Sequence, residues 1–251
     1  MLEVSDLSVA IGDKTILHDI NLTIGPGKIH VLFGPNGSGK STLLGALIGF
    51  RRYRVLKGSI RFKGQEIVDL PVHERARLGI GLAFQRPPTI RGLTMRQMLA
   101  ICARDGVNAE ELAAYLRFEG FLDREVNVGF SGGELKRSEL LQLLAQDPEL
   151  VLLDEPESGV DLENIALVGR AINHLLGREV GAPRGKSPRQ ARQERMKAGL
   201  IITHTGYILD YVNADVGHVL YEGRISCSGN PRELLRCIQK LGYGACVQCT
   251  F

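Results

Sequence analysis

The chain has 251 residues, 44% of them hydrophobic and 24% charged, which suits one large or two small domains with a sizeable core. No apolar run approaches the ~18 residues of a membrane span, no basic-then-apolar leader precedes Leu2, and five widely spaced cysteines do not form a disulfide framework, so a cytoplasmic protein is expected. The net charge of +3 is local: Arg178 to Lys197 carries seven basic side chains against two acidic ones, a net +5, leaving a body at −2 that argues against nucleic-acid binding.

In chain order, Leu2 to Ile24 alternates apolar and polar residues in two runs joined around Gly12-Asp13, as a hairpin does. Ile29 to Phe33 reads as a buried strand and Thr42 to Ile48 as a helix. Ser59 to Phe62 is a further strand ended by Lys63-Gly64, and Ile80 to Phe84 a short buried one ending at Gln85. From Thr94 to Gln146 the period is helical, with Met95, Met98, Leu99 and Cys102 on one face. Leu150 to Leu153 is continuously apolar, the mark of a central parallel strand. A helix over Asp161 to Leu176, a strand over Gly199 to Thr203, a hairpin turning at Glu222-Gly223 and a last helix started by Asn230-Pro231 complete the chain. No internal repeat is present. The expected fold is α/β: a phosphate-loop core with an antiparallel β portion and a helical insertion. Residues 1–251 are expected to form one domain, in which 1–86 and 147–251 make the core and β portion, 87–146 the helical part, and 178–197 a solvated, flexible basic insert, the alternative being an arm that docks a partner or contacts RNA.

Between the third strand and the first helix stands Gly34-Pro35-Asn36-Gly37-Ser38-Gly39-Lys40-Ser41-Thr42, which fits G-x-x-x-x-G-K-[ST]. Glycines let successive N–H groups turn toward one anion, and the new helix adds its positive end. Lys40 reaches the outer phosphates, and the Ser41 hydroxyl is placed for Mg²⁺. A nucleoside triphosphate is the expected ligand. Asp154 follows four apolar residues, at the end of a buried strand beside this loop, where a carboxylate holds Mg²⁺. Glu155 is one residue on, placed to orient and deprotonate an attacking water.

Phe130-Ser131-Gly132-Gly133-Glu134 opens a helix about twenty residues before Asp154-Glu155, and this order identifies the chain as similar to ABC-type ATPase cassettes over nearly its whole length. The resemblance implies that Ser131, Gly132, Gly133 and Glu134 are the signature motif, with Phe130 and Glu134 in place of the commoner leucine and glutamine. It implies that Gln85 senses Mg²⁺ and the attacking water, that Ser158-Gly159-Val160-Asp161 crosses to the partner subunit, and that His204 contacts the γ-phosphate. Two cassettes then pack head to tail, each ATP lying between one copy's phosphate loop and the other's signature helix, so that ATP drives dimerisation and hydrolysis releases it. The position where the family often stacks an aromatic on adenine is near Ile11, which is not aromatic. A lost stack weakens binding by about 1 kcal/mol.

Within the family, Glu157-Ser158-Gly159-Val160-Asp161, Ser131 to Arg137, Tyr207 to Tyr211, Val219 to Ile225 and Gly242-Tyr243-Gly244 resemble the SufC branch, the ATPases of SUF iron–sulfur cluster assembly. That resemblance implies a SufB- or SufD-like scaffold as partner; the alternative is the ATP-binding subunit of an ABC membrane transporter. Arg86-Pro87-Pro88, the basic insert and the tail after Gly244 depart from the pattern. Cys246 and Cys249 stand as C-x-x-C, half of a zinc site at a chain end, and leave an incidental and a metal-binding role open.

Overall fold

In a computed structural model of the chain, residues 1–104, 106–178 and 196–248 are described. The front hairpin is present: β1 (Leu2–Ile11) and β2 (Lys14–Ile24) pair antiparallel through Gly12-Asp13, with Gly12 at φ 57°. Leu2 and Val4, then Leu7 and Val9, all point inward, which a strict two-residue period forbids. A bulge between Val4 and Leu7, with Asp6 at φ 48°, resets the alternation. β4 (Arg54–Phe62) and β5 (Gln65–Glu66) extend this into a four-stranded sheet, β2-β1-β4-β5. β4 begins five residues before the expected Ser59, because its first half is mostly exposed and Val55-Leu56, of which only Val55 packs on the core, shows no apolar–polar alternation.

The second sheet is the frame of the molecule. β3 (Ile29–Phe33), β6 (Ile80–Ala83), β9 (Leu150–Asp154), β10 (Ala198–Ile202), β11 (Val216–Tyr221) and β12 (Arg224–Gly229) lie in the order β12-β11-β3-β10-β9-β6. All neighbours are parallel except the β11–β12 hairpin, which turns at Glu222-Gly223. The continuous apolar runs of β3, β9 and β10 are buried throughout, as central parallel strands are.

One face of the frame packs on the antiparallel sheet and α1 (Lys40–Ile48), through Leu43, Leu47, Phe62, Leu152 and Leu200. The other packs on α3 (Met95–Cys102), α5 (Gly132–Gln146) and α6 (Leu162–Leu175), through Val151, Leu153 and Ile201. α7 (Pro231–Gln248) covers Val31, Phe33 and Val219, capped by Asn230, which accepts the N–H groups of Arg232 and Glu233. It kinks at Gly242, whose φ of 77° a side chain would resist. Cys246 is buried in this third cluster; Cys249 lies outside the described residues, and no cluster of three or more His, Cys, Asp or Glu side chains able to hold a metal ion occurs among those described.

The stretch expected to be helical from Thr94 to Gln146 is interrupted. A short ribbon, β7 (Ile90–Thr94) with β8 (Glu125–Val126), crosses it, and α4 (Ala109–Tyr115) stands apart. Thr94 ends the ribbon and caps α3, its hydroxyl accepting the Gln97 N–H while Gln97 accepts the Thr94 N–H. A further helix, α2 (Val72–Leu78), is unexpected; it carries Arg75, only 2% exposed. That guanidinium donates to the carbonyls of Ala46 and Leu47 at 2.7 and 2.9 Å, closing the C-terminal end of α1, and to those of Leu70 and Val68. The basic insert falls mostly on 179–195, outside the described residues; at its ends the buried Arg178 pairs with Asp215, and the part-exposed Lys197 with Asp147.

Candidate functional site

Four adjacent parallel strands, β3, β10, β9 and β6, end on the same side of the sheet, where α/β proteins place ligands. β3 delivers the phosphate loop. Gly34 leaves it so tightly that a Cβ there would lie 2.5 Å from the Leu220 carbonyl oxygen and 2.6 Å from Ser38 Oγ. Gly37 (φ 80°) and Gly39 (φ 104°) take left-handed conformations, and Gly39 sits against Leu17. α1 starts directly after it, with no side chain on its first N–H groups and no acid in its first turn. Those amides form a preorganised anion cradle within 34–42. The buried Lys40 ammonium donates to the carbonyls of Gly34 and Pro35 at 2.8 and 2.9 Å, bracing the loop with its own cation. Burial lowers its pKa, and the carboxylates of Glu155 and Asp154 oppose the shift. Ser38 Oγ is buried without a partner.

β9 ends in Asp154 and Glu155. Burial raises the Asp154 pKa, and the Ser41 hydroxyl works against that by hydrogen bonding to it. Asp154 Oδ1 has no partner. Glu155 turns out of the strand at φ 49°, a left-handed conformation that a non-glycine residue adopts at a cost of about 1 kcal/mol. The turn brings its carboxylate between the ends of the two flanking strands. Gln85, two residues past β6, donates Nε2 to Glu155 Oε2 at 2.7 Å. His204, two residues past β10, holds Nδ1 at 3.2 Å from Glu155 Oε1. Three segments far apart in sequence thus meet on one carboxylate.

His204 is itself held from beneath. The buried Glu157 accepts the hydroxyls of Thr203 and Thr205, the two residues flanking the histidine. Thr203 Oγ1 also accepts the Gly206 N–H.

The turn expected to be the signature, Ser131 to Glu134, lies at the start of α5. Ser131 is its cap: the Ser131 N–H donates to Glu134 Oε2 at 2.8 Å, and the Glu134 N–H to Ser131 Oγ at 3.4 Å. Gly132 must be glycine, because a Cβ would lie 2.2 Å from the Gly159 carbonyl oxygen; Gly133 faces Asn164. Asp161 caps α6, accepting the Asn164 N–H at 2.8 Å and its side-chain amide, bonds that hold its carboxyl below the usual range. Signature turn and 158–161 loop therefore form one backbone-to-backbone unit. Among the described residues, the side-chain hydrogen bonds of Ser131 and Asp161 stay within these two caps and do not reach the phosphate loop. Ile11 ends β1, opposite Lys14 and half-buried.

Two buried charges were not expected here. Lys136 and Glu139, on the inner face of α5, bond the backbone of Phe84 and Gln85. The available signal was their i, i+3 spacing on the face shared by Leu140 and Leu143.

The ABC transporter family model matches residues 17–158. The chain is 38% identical to the probable ATP-dependent transporter SufC of Escherichia coli, over 97% of this chain and 98% of that one. It is 37% identical to a probable ABC transporter ATP-binding protein of Streptococcus pyogenes, over 99% and 95%. Among solved structures, an ATP-binding cassette of an ABC transporter in its ADP conformation superposes with a TM-score of 0.72 at 22% identity, covering 100% of this chain and 99% of that one. A bacterial Atm1-family ABC exporter with ATP bound superposes at 0.76 and 21% identity, over 98% of this chain and 41% of the exporter's. Motif order, strand-end geometry and full-length similarity together place the chain in the ABC transporter family, as an ATP-binding, ATP-hydrolysing cassette of the phosphate-loop α/β fold.

Proposed function

We propose that this cassette hydrolyses ATP between two copies of itself and uses the cycle to reshape a SufB- or SufD-like scaffold on which an iron–sulfur cluster is assembled. The observation that carries the catalytic part is the Gln85–Glu155–His204 cluster beside the uncapped start of α1. Lys40 and the loop of Gly34, Pro35, Asn36, Gly37, Ser38, Gly39, Ser41 and Thr42 bind the β- and γ-phosphates, the N–H groups coming from its residues other than Pro35. Ser41, Gln85 and Asp154 are the residues that would hold Mg²⁺. The unpartnered Asp154 Oδ1 and the Ser41 hydroxyl already bonded to Asp154 fit a cation. When bound, the ion neutralises charge on the phosphate oxygens.

Glu155 acts as general base. It takes a proton from a water whose oxygen bonds to the γ-phosphorus, the bond to the bridging oxygen breaks, and ADP and phosphate leave. Gln85 orients that water and His204 steadies the γ-phosphate; both now engage Glu155, so this is a resting arrangement that nucleotide must reorganise. Ser131, with the amides of Gly132 and Gly133 and the Glu134 that caps them, completes the neighbouring copy's site, and Asp161 crosses between the two.

Replacement of Glu155 by Gln keeps the cradle and removes the base. Glu155→Gln is expected to bind ATP with Mg²⁺, lose about 10²–10⁴-fold in turnover, and elute as a dimer on gel filtration; a monomer under those conditions contradicts the two-copy site. Similarity to SufC supports the scaffold, and among the described residues no helix is long and apolar enough to cross a membrane. The second reading, an ABC transporter subunit, is favoured by the description of the Streptococcus pyogenes relative. Co-purification separates them: a β-rich scaffold of SufB or SufD type supports the first, and a multi-span membrane protein the second.

A further inference from the structure

α5 does more than present Ser131. β6 ends at Ala83, so the backbone of Phe84 and Gln85 has left the sheet ladder. Its polar groups are taken up by α5 instead. Glu139 Oε1 accepts the Phe84 N–H at 2.7 Å, and Lys136 Nζ donates to the Phe84 and Gln85 carbonyls at 2.7 and 3.0 Å. The two side chains are 4% and 6% exposed and lie 3.9 Å apart as an ion pair. Buried charges are costly unless each is well partnered, and apolar side chains would fill the same space more simply. What the charges provide is a grip: three backbone groups of a two-residue segment are tied to one helical turn. The same segment carries Gln85, whose amide reaches Glu155.

Resting on the two-copy reading above, we infer that Lys136 and Glu139 are positioning residues that couple the two ATP sites. Lys136 stands five residues from Ser131, about 7.5 Å along a stiff helix. When a neighbour's phosphate engages Ser131, α5 moves as a rod, and the grip carries that movement to Gln85 and so to the Glu155 of its own subunit. Each site then learns that its partner is loaded, a coupling between sites of the usual kind.

The test compares Lys136→Met and Glu139→Leu, which release the grip, with Glu139→Gln, which keeps an acceptor for the Phe84 N–H. ATP affinity, read with a fluorescent nucleotide, should stay within about twofold in all three, because neither residue touches the phosphate loop. In the two releasing variants kcat should fall about tenfold and the ATP dependence should lose its cooperativity, the Hill coefficient dropping from near 2 toward 1. Glu139→Gln should retain wild-type behaviour. A purely structural role would lower melting temperature and active fraction while leaving the Hill coefficient untouched. Folded releasing variants with wild-type kcat and cooperativity overturn the inference. A wild-type chain that neither dimerises with ATP nor shows cooperativity overturns the two-copy reading first.

A second measurement needs no change at the grip. Amide hydrogen exchange over Phe84 and Gln85 should slow with ATP more in the wild-type chain than in Ser131→Arg, and equal slowing in both overturns the inference.

Discussion

Two helices of this chain open on glycine-rich turns, and they differ in what occupies their first amides. α1 follows Gly39 with nothing on its N-terminus: no capping side chain and no acid in the first turn. α5 follows Ser131 with both halves of a capping box closed, Glu134 reaching back at 2.8 Å and Ser131 forward at 3.4 Å. A bare terminus is an anion site as it stands. On the two-copy proposal a capped one must loosen its own cap first, and the longer Ser131 bond is the half expected to yield. The difference teaches that one local grammar builds both an open helix start and a closed one, in the proposal a primary site and a latent one, depending on the residue three places on.

The largest effect that would break this comparison is at the latent site. Ser131→Arg should leave ATP affinity within about threefold and cut turnover by about 100-fold, because the damage falls on the neighbour's phosphates. Normal ATPase activity in that variant would mean that the α5 terminus serves no phosphate.

Acid separates the two halves in opposite senses. Burial holds His30 on β3 and His218 on β11 down to about 4; their rings bond at 2.8 Å, and His218 bonds Ser228 at 2.7 Å. Between pH 6.5 and 4 the unfolded chain binds protons that these rings refuse, so their contribution to stability is lost as pH falls. At pH 5 this amounts to about 2 kcal/mol per ring as an upper bound. Burial pushes Glu139 the other way, up to about 7, with Lys136 opposing. The folded state then holds a proton that the unfolded state has released, so stability there is lost as pH rises from 4.5 through 7. Amide hydrogen exchange at pH 5 against pH 7.5 should show β3 and β11 less protected and α5 more protected at the lower pH. Uniform change across both regions would contradict the burial of these groups.

The smallest effect concerns the cap alone. Glu134→Ala should cost about 1 kcal/mol, a fall of about 2–4 °C in melting temperature. A change of less than about 0.3 kcal/mol would show that the capping box does not hold in solution.

How far the sequence carries this picture follows from where each signal is written. The phosphate loop, the β9 run into Asp154-Glu155, and the Asn230-Pro231 start of α7 are legible because their determinants are contiguous: glycines, apolar runs and caps act within a few residues. The β7–β8 ribbon, the first half of β4 and α2 are not, since their partners lie elsewhere in the chain. Ser131 and Gly132 are conspicuous, yet nothing local says that Gly132 is needed to clear the Gly159 carbonyl. Lys136 and Glu139 look like an ordinary helix-surface pair until tertiary structure buries them against Phe84. Glu157 stands out as an acid after Pro156, but its hold on both threonines around His204 requires β9 and β10 to be neighbours.

The left-handed turn at residue 155 carries a consequence for the evolution of such chains. Asparagine and glycine tolerate that conformation far better than glutamate does. A descendant freed from the need to cleave nucleotide would therefore drift toward one of them, gaining robustness as it lost turnover. A long-chain acid at so uncomfortable a position fits the proposed role in chemistry, which neither asparagine nor glycine supplies.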